Sequence, residues 1–144
     1  MPNPRCLLLS LVLAVSACGP RPADLETQAV AALQTEVPAL QKAFYAANGR
    51  YASHISELTG GADTLASGVR VIIHAGDRDG WAASSSHPSI PGAACAAWVG
   101  EPRARPMMVG NVGPKKAGEI ACLSFGPWKK NKTVQRSGPF AIAP

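Results

Sequence analysis

The sequence predicts an α+β domain in which an N-terminal amphipathic helix packs on an antiparallel sheet of three or four strands, with a disulfide closing the C-terminal loop. Three observations predict it. Val30, Leu33, Val37, Leu40 and Phe44 recur at spacings of three and four, which places them on one stripe of a helix. From Gly68 onward the period changes to two, through segments rich in β-branched residues with turn signals between them. Cys95 and Cys122 then bracket a stretch rich in proline and glycine. With 144 residues, 16% of them charged and 47% hydrophobic, the chain has the size and composition of one folded domain and not of a disordered segment.

In chain order, Arg5, the apolar run from Leu7 to Val15 and the small residues Ser16 and Ala17 read as a secretory signal peptide over residues 1–17. The run is shorter than the roughly 20 residues a membrane-spanning helix requires. The tract Val15-Ser16-Ala17-Cys18 resembles the bacterial lipoprotein box, which implies that Cys18 is acylated and becomes the first mature residue. Two or three acyl chains, at about 0.8 kcal/mol per buried methylene, hold a protein on a membrane almost permanently. Gly19 stands where, in the lipoproteins this resembles, an aspartate favours inner-membrane retention, so the resemblance implies an outer-membrane anchor in a Gram-negative envelope. The alternative is a secreted protein cut near Ala17, with Cys18 a free or paired thiol.

Loss of residues 1–17 leaves 127 residues and a net charge of +4. Cys6 leaves with the signal and Cys18 is taken by lipid, so Cys95 and Cys122 remain, a pair expected to form one disulfide in an oxidising compartment. A metal site built from these cysteines with His54, His74 or His87 is the rival, and none of the three histidines has zinc-type spacing to a cysteine.

Residues 18–23 form a short proline-containing tether, and residues 24–144 the single domain, opened by Asp24 as a helix N-cap. Pro38 falls inside the helical stripe and is expected to kink or split the helix near Val37, and Asn48-Gly49 to stop it. The stripe spans fewer than three heptads, which favours packing on the protein's own sheet over a coiled-coil partner. Ser53, Ile55 and Leu58 read as a short helical turn ended by Gly60-Gly61. Val69, Val71 and Ile73 then alternate with Arg70, Ile72 and His74 on a first strand. Asp77 to Gly80 turns into a second strand over 81–87, and Cys95 to Val99 gives a third. A fourth lies around Ile120 to Leu123, and Thr133–Arg136 with Phe140–Ile142 supplies an edge piece.

The sequence carries no Walker loop, G-x-S-x-G, H-E-x-x-H or C-x-x-C motif, and the expectation is a non-enzymatic protein without metal or cofactor. His74 or His87 with Ser84 to Ser86 is the nearest approach to a base and nucleophile, and no recognisable motif places an acid to orient the ring. Asp77, Asp79 and Gly80 resemble the start of a calcium loop, but the downstream glutamate is missing and turn chemistry accounts for them.

One tract is more specific. Ala43-Phe44-Tyr45-Ala46-Ala47-Asn48-Gly49-Arg50-Tyr51 with Ile55-Ser56-Glu57-Leu58 resembles the end of the long helix and the next loop of type IV pilins and type II secretion pseudopilins. Gly68 to Ile73 with Asp79 to Ser84 is similar to the first two strands of their head domain, and Cys95 to Gly100 to the third. That strand's cysteine in many pilins pairs with one near the C-terminus, which the resemblance assigns to Cys122. The family's glycine-ended leader, its glutamate at the fifth mature position and its long apolar half-helix are not found here. The resemblance therefore implies a pilin-like head carried on a lipid, an accessory or interaction module of a pilus or secretion apparatus.

Charge is unevenly placed. Residues 18–100 carry a net −2, and from residue 101 onward the net is +6, through Arg103, Arg105, Lys115, Lys116, Lys129, Lys130, Lys132 and Arg136. With Trp98 and Trp128 near in sequence, this region is a candidate surface for a polyanion such as DNA or lipopolysaccharide. A solvated basic loop is the alternative.

Overall fold

The computed structural model describes residues 21–103 and 113–123. The expected signal peptide, Cys18, Arg105, Trp128, Lys129, Lys130, Lys132, Arg136 and the edge piece expected over 133–142 lie outside the described residues.

Helix begins two residues before the expected cap. α1 runs Pro22–Ala31 with Arg21 before it. Proline fits there because the first helical position needs no N–H donor and its fixed φ is already helical. Asp24 is the third helical residue, and its Oδ2 accepts from Arg21 N at 3.1 Å. The helix widens into a π turn over Ala32–Glu36 and resumes as α2, Val37–Asn48. Proline inside a regular helix collides with the carbonyl four residues back. The π turn lengthens that interval, with Val37 N bonded to Ala32 O, and Pro38 then occupies the second position of a fresh α segment. α2 ends at Gly49, whose φ of 68° is the left-handed stop expected from Asn48-Gly49. A five-residue helix, α3 (Ile55–Thr59), follows.

Among the described residues the sheet has four antiparallel strands in sequence order: β1 (Arg70–Gly76), β2 (Gly80–Ser86), β3 (Ala94–Gly100) and β4 (Ala121–Leu123). Val71, Ile73, Trp81, Ala83, Cys95, Ala97, Val99 and Cys122 face the helix and form its core with Leu25, Ala29, Ala32, Leu33 and Val37. Ser85 is buried in the same layer and donates to Ala29 O at 2.7 Å, a direct bond between sheet and helix. Cys95 stands opposite Cys122 in the ladder and the two are joined by a disulfide. The buried helix residues differ from the expected stripe: Leu33 and Val37 are in it, Val30 and Leu40 pack at its margin, and Leu25 and Ala29 complete it.

Candidate functional site

The two faces of the sheet are unequal. On the face away from the helix, Ala82, Ala96 and Trp98 are buried, with Trp98 Nε1 donating to Pro114 O at 3.5 Å and Gly118 N donating to Trp98 O at 2.8 Å. At β1 the same face is open: Arg70, Ile72 and His74 are exposed, Ile72 to 53%. Register slips between Ile73 and Ala75, leaving His74 as the extra residue of a bulge. Its Nε2 lies 2.8 Å from Ser84 Oγ on β2. Partial desolvation of the ring pushes the imidazole below its ordinary value.

β1 is also a sheet edge, and the chain from Gly49 to Leu65 runs beside it. Gln41, fully buried on α2, clamps that chain: its Nε2 donates to Ala52 O at 3.1 Å and its Oε1 accepts from Ala52 N at 2.8 Å. Gly76 makes the approach possible, because a Cβ there would lie 1.8 Å from Ala52 O. Glu57 ties the loop to α3. Its Oε2 accepts from Ser53 N at 2.7 Å and His54 N at 3.2 Å, while Oε1 pairs with Arg50 Nη2 at 2.6 Å. The Arg50 guanidinium foremost, then the backbone donors, hold the Glu57 carboxyl down at about 2. Arg50 also lies over the Phe44 ring at 5.1 Å, and the Tyr45 and Tyr51 rings stand 4.6 Å apart.

Between this loop and the sheet edge is an open groove of about 350 Å³ lined by His54, Ile55, Ser56, Asp63, Arg70, Val71, Ile72 and Ile73. Its floor is aliphatic and its rim polar. Nothing in the sequence singled it out, because its residues come from two segments that only the fold brings side by side.

The expected site residues fall in different places. Asp77 caps its own turn, Oδ1 accepting from Asp79 N at 2.8 Å and Gly80 N at 3.0 Å, chiefly the first of which draws its carboxyl below the ordinary range. Arg103 stands 3.9 Å from Asp77 Oδ2 at that turn. Lys115 and Lys116 are exposed on the segment that crosses near Trp98, where Lys115 N donates to Glu119 Oε2 at 2.8 Å. Trp98 is only 5% exposed, so it offers no ring for a base or sugar to stack on, contrary to the sequence expectation. His74 and Ser84 do meet, yet no carboxylate among the described residues bonds the imidazole, so the pair lacks the third member of a nucleophilic triad. Among the described residues no three histidine, cysteine or acidic side chains converge as metal ligands, and no helix is long and apolar enough to cross a membrane. No protein-family model, curated protein or solved structure matches the chain.

Proposed function

We propose that the protein is a lipid-anchored envelope protein whose pilin-like head serves, without catalysis, as an accessory or interaction module of a pilus or secretion apparatus. The observation that carries this reading is the pairing of a lipoprotein-like box ending at Cys18 with the tract Ala43 to Tyr51 and the strand pattern after it. A helix laid on an antiparallel meander, with a disulfide between β3 and β4, is compatible with it. The reading places the protein on the outer membrane. Intact mass of protein purified from native membranes tests the anchor: residues 18–144 plus acyl groups is the expected product, and an unacylated chain overturns it. Cross-linked pull-down from the same membranes tests the partner, and recovery without pilus or secretion components counts against the apparatus.

The charge asymmetry supports a second reading, a stand-alone binding lipoprotein whose basic C-terminal region takes DNA or lipopolysaccharide. In that case neutralising Lys129, Lys130 and Lys132 together weakens binding and flattens its salt dependence. Unchanged binding by that variant removes the reading.

A further inference from the structure

Two contacts fix how the helix runs along the sheet. Ala29 O on α1 accepts from Ser85 Oγ, and further on Gln41 of α2 holds Ala52, against which Gly76 lies. Ser85 pairs with Val71, and from Val71 to Gly76 β1 advances about 16 Å while from Ala29 to Gln41 the helix advances about 18 Å. Helix and β1 therefore run the same way. The start of α1 projects past the end of the sheet where β1 begins, β2 ends and β3 begins. On β4, Cys122 stands opposite Cys95 and Leu123 opposite Ala94, so the chain also leaves the described sheet at that end. The other end holds the turn over 77–80 and Arg103, whose N donates to Asp77 Oδ2 at 3.3 Å. Lys115 and Lys116 precede Gly118, which bonds Trp98 past the middle of β3. The basic residues of residues 101–144 thus do not share one surface.

We infer that the basic C-terminal segment is a second membrane attachment, which lays Lys129, Lys130, Lys132 and Arg136 on the anionic phospholipid headgroups of the bilayer that holds Cys18. The inference rests on Cys18 as the lipid-bearing residue, and it makes the polyanion of the basic region the protein's own membrane. Both attachments start from the same end of the fold. From Cys18 to Arg21 the chain spans at most about 10 Å. Pro22 stands about 10 Å beyond Ala29 along the helix, and Leu123 about 3 Å beyond Cys122 along its strand. A bilayer holding Cys18 is then about 17 Å from Leu123, and Lys129, six residues on, has about 20 Å of reach. Residues 124–144 contain no acidic residue, and Trp128 is of the type enriched at membrane interfaces. Arg21 and Arg70, exposed at the same end, are offset by Asp24, Glu26 and Asp63, so the positive charge comes from the segment. The acyl chains already hold the protein, and what the second contact adds is orientation. Two attachments at one end turn the other, with the turn over 77–80 and Arg103, away from the bilayer.

The test uses residues 18–144 with the Cys95–Cys122 bond intact, which leaves Cys18 as the free thiol. Cys18 is coupled through a maleimide to phospholipid in vesicles of phosphatidylcholine, with or without phosphatidylglycerol. Trp81 and Trp98 are 2% and 5% exposed, so quenching by a nitroxide-headgroup lipid reports on Trp128. Quenching is expected with phosphatidylglycerol and is expected to fall by about half or more without it or in high salt. Replacing Lys129, Lys130, Lys132 and Arg136 together by Gln abolishes the dependence, whereas Arg103→Gln with Lys115→Gln and Lys116→Gln preserves it. Without coupled lipid, the fourfold variant binds the anionic vesicles about a hundredfold more weakly than wild type. Moving the attachment to the far end, Cys18→Ser with Arg78→Cys at an exposed turn position, lowers the quenching. Equal quenching on neutral and anionic vesicles, or from either attachment point, overturns the inference. A native chain without acyl groups overturns the anchor and the inference with it, whereas quenching indifferent to lipid charge beside an acylated native chain overturns the inference alone.

Discussion

At one side of the sheet, β4 is three residues long, Ala121 and Cys122 are buried, and sulfur bonds it to β3. At the other, β1 is seven residues long, carries a bulge, exposes Ile72, and is joined to its neighbouring loop by hydrogen bonds and by the packing of Tyr51, Ile55, Leu58 and Leu65 on the core. Among the described strands both are edges, and an unprotected edge invites pairing with other chains. The covalent side has little main chain to offer and is fixed. The other side is held through Gln41 and Glu57, whose bonds to the main chain can be broken one at a time. The expectation is that the side closed by sulfur contributes more to stability than the side held without a covalent bond.

Four measurements can break or sharpen that contrast, in order of expected size. Replacing both cysteines, Cys95→Ala with Cys122→Ala, releases a loop closed across 27 residues and is expected to cost about 3 to 4 kcal/mol in urea unfolding. A loss below about 1 kcal/mol would place the stability elsewhere. Next, Gln41→Leu fills the same volume but strands Ala52 N and Ala52 O in a buried position, for an expected loss of about 2 kcal/mol. Amide exchange in that variant should rise around residues 50–57 and leave β3 unchanged; a uniform rise would mean that the two sides are not separable.

Smaller is the contribution of Glu57, where Glu57→Gln weakens the network at the start of α3 by about 1 kcal/mol near neutral pH. The folded carboxyl lies near 2 and the ordinary value is 4.5, so its contribution is complete above 4.5 and is lost as pH falls toward 2. The wild-type and Glu57→Gln stability curves should therefore converge in acid, and parallel curves would deny the ion pair its part. His74, lowered by burial, acts with the same sign at higher pH: protonation favours the unfolded chain as pH falls below its ordinary 6.5. Last, Ile72→Thr on the open face is expected to leave stability within about 0.5 kcal/mol. A larger loss would show that the face is packed in solution.

Much of the architecture was legible because each of its signals is local. Period two between Val69 and His74 marks β1, and Asp77 to Gly80 marks the hairpin turn through its own carboxylate. The helix stripe was read through Val30, Leu40 and Phe44 because those are the large apolar side chains, whereas the buried line is Leu25, Ala29, Leu33, Val37 and Gln41. Steps of four drift around a regular helix, and the wider π turn in the middle offsets that drift. No residue type announces a π turn beyond Pro38 itself, and a glutamine on the inner side of a helix reads no differently from the exposed Gln34. The groove was illegible for another reason: Asp63 and Ser56 are ordinary loop and helix residues until β1 is laid beside them. The meeting of His74 with Ser84 likewise depends on the bulge, which alternation alone does not foresee.

The Cys95–Cys122 bond also decides what proteolysis can do to the molecule. A cut anywhere from residue 96 to 121 yields two fragments that migrate as one chain until a reductant is added. A cut after residue 122 releases a peptide outright. The released piece carries Lys129, Lys130, Lys132 and Arg136 and no acidic residue, while Arg103, Arg105, Lys115 and Lys116 stay inside the covalent ring. One cut between residues 123 and 128 would thus remove four positive charges and take residues 18–144 from +4 to neutral without opening the ring.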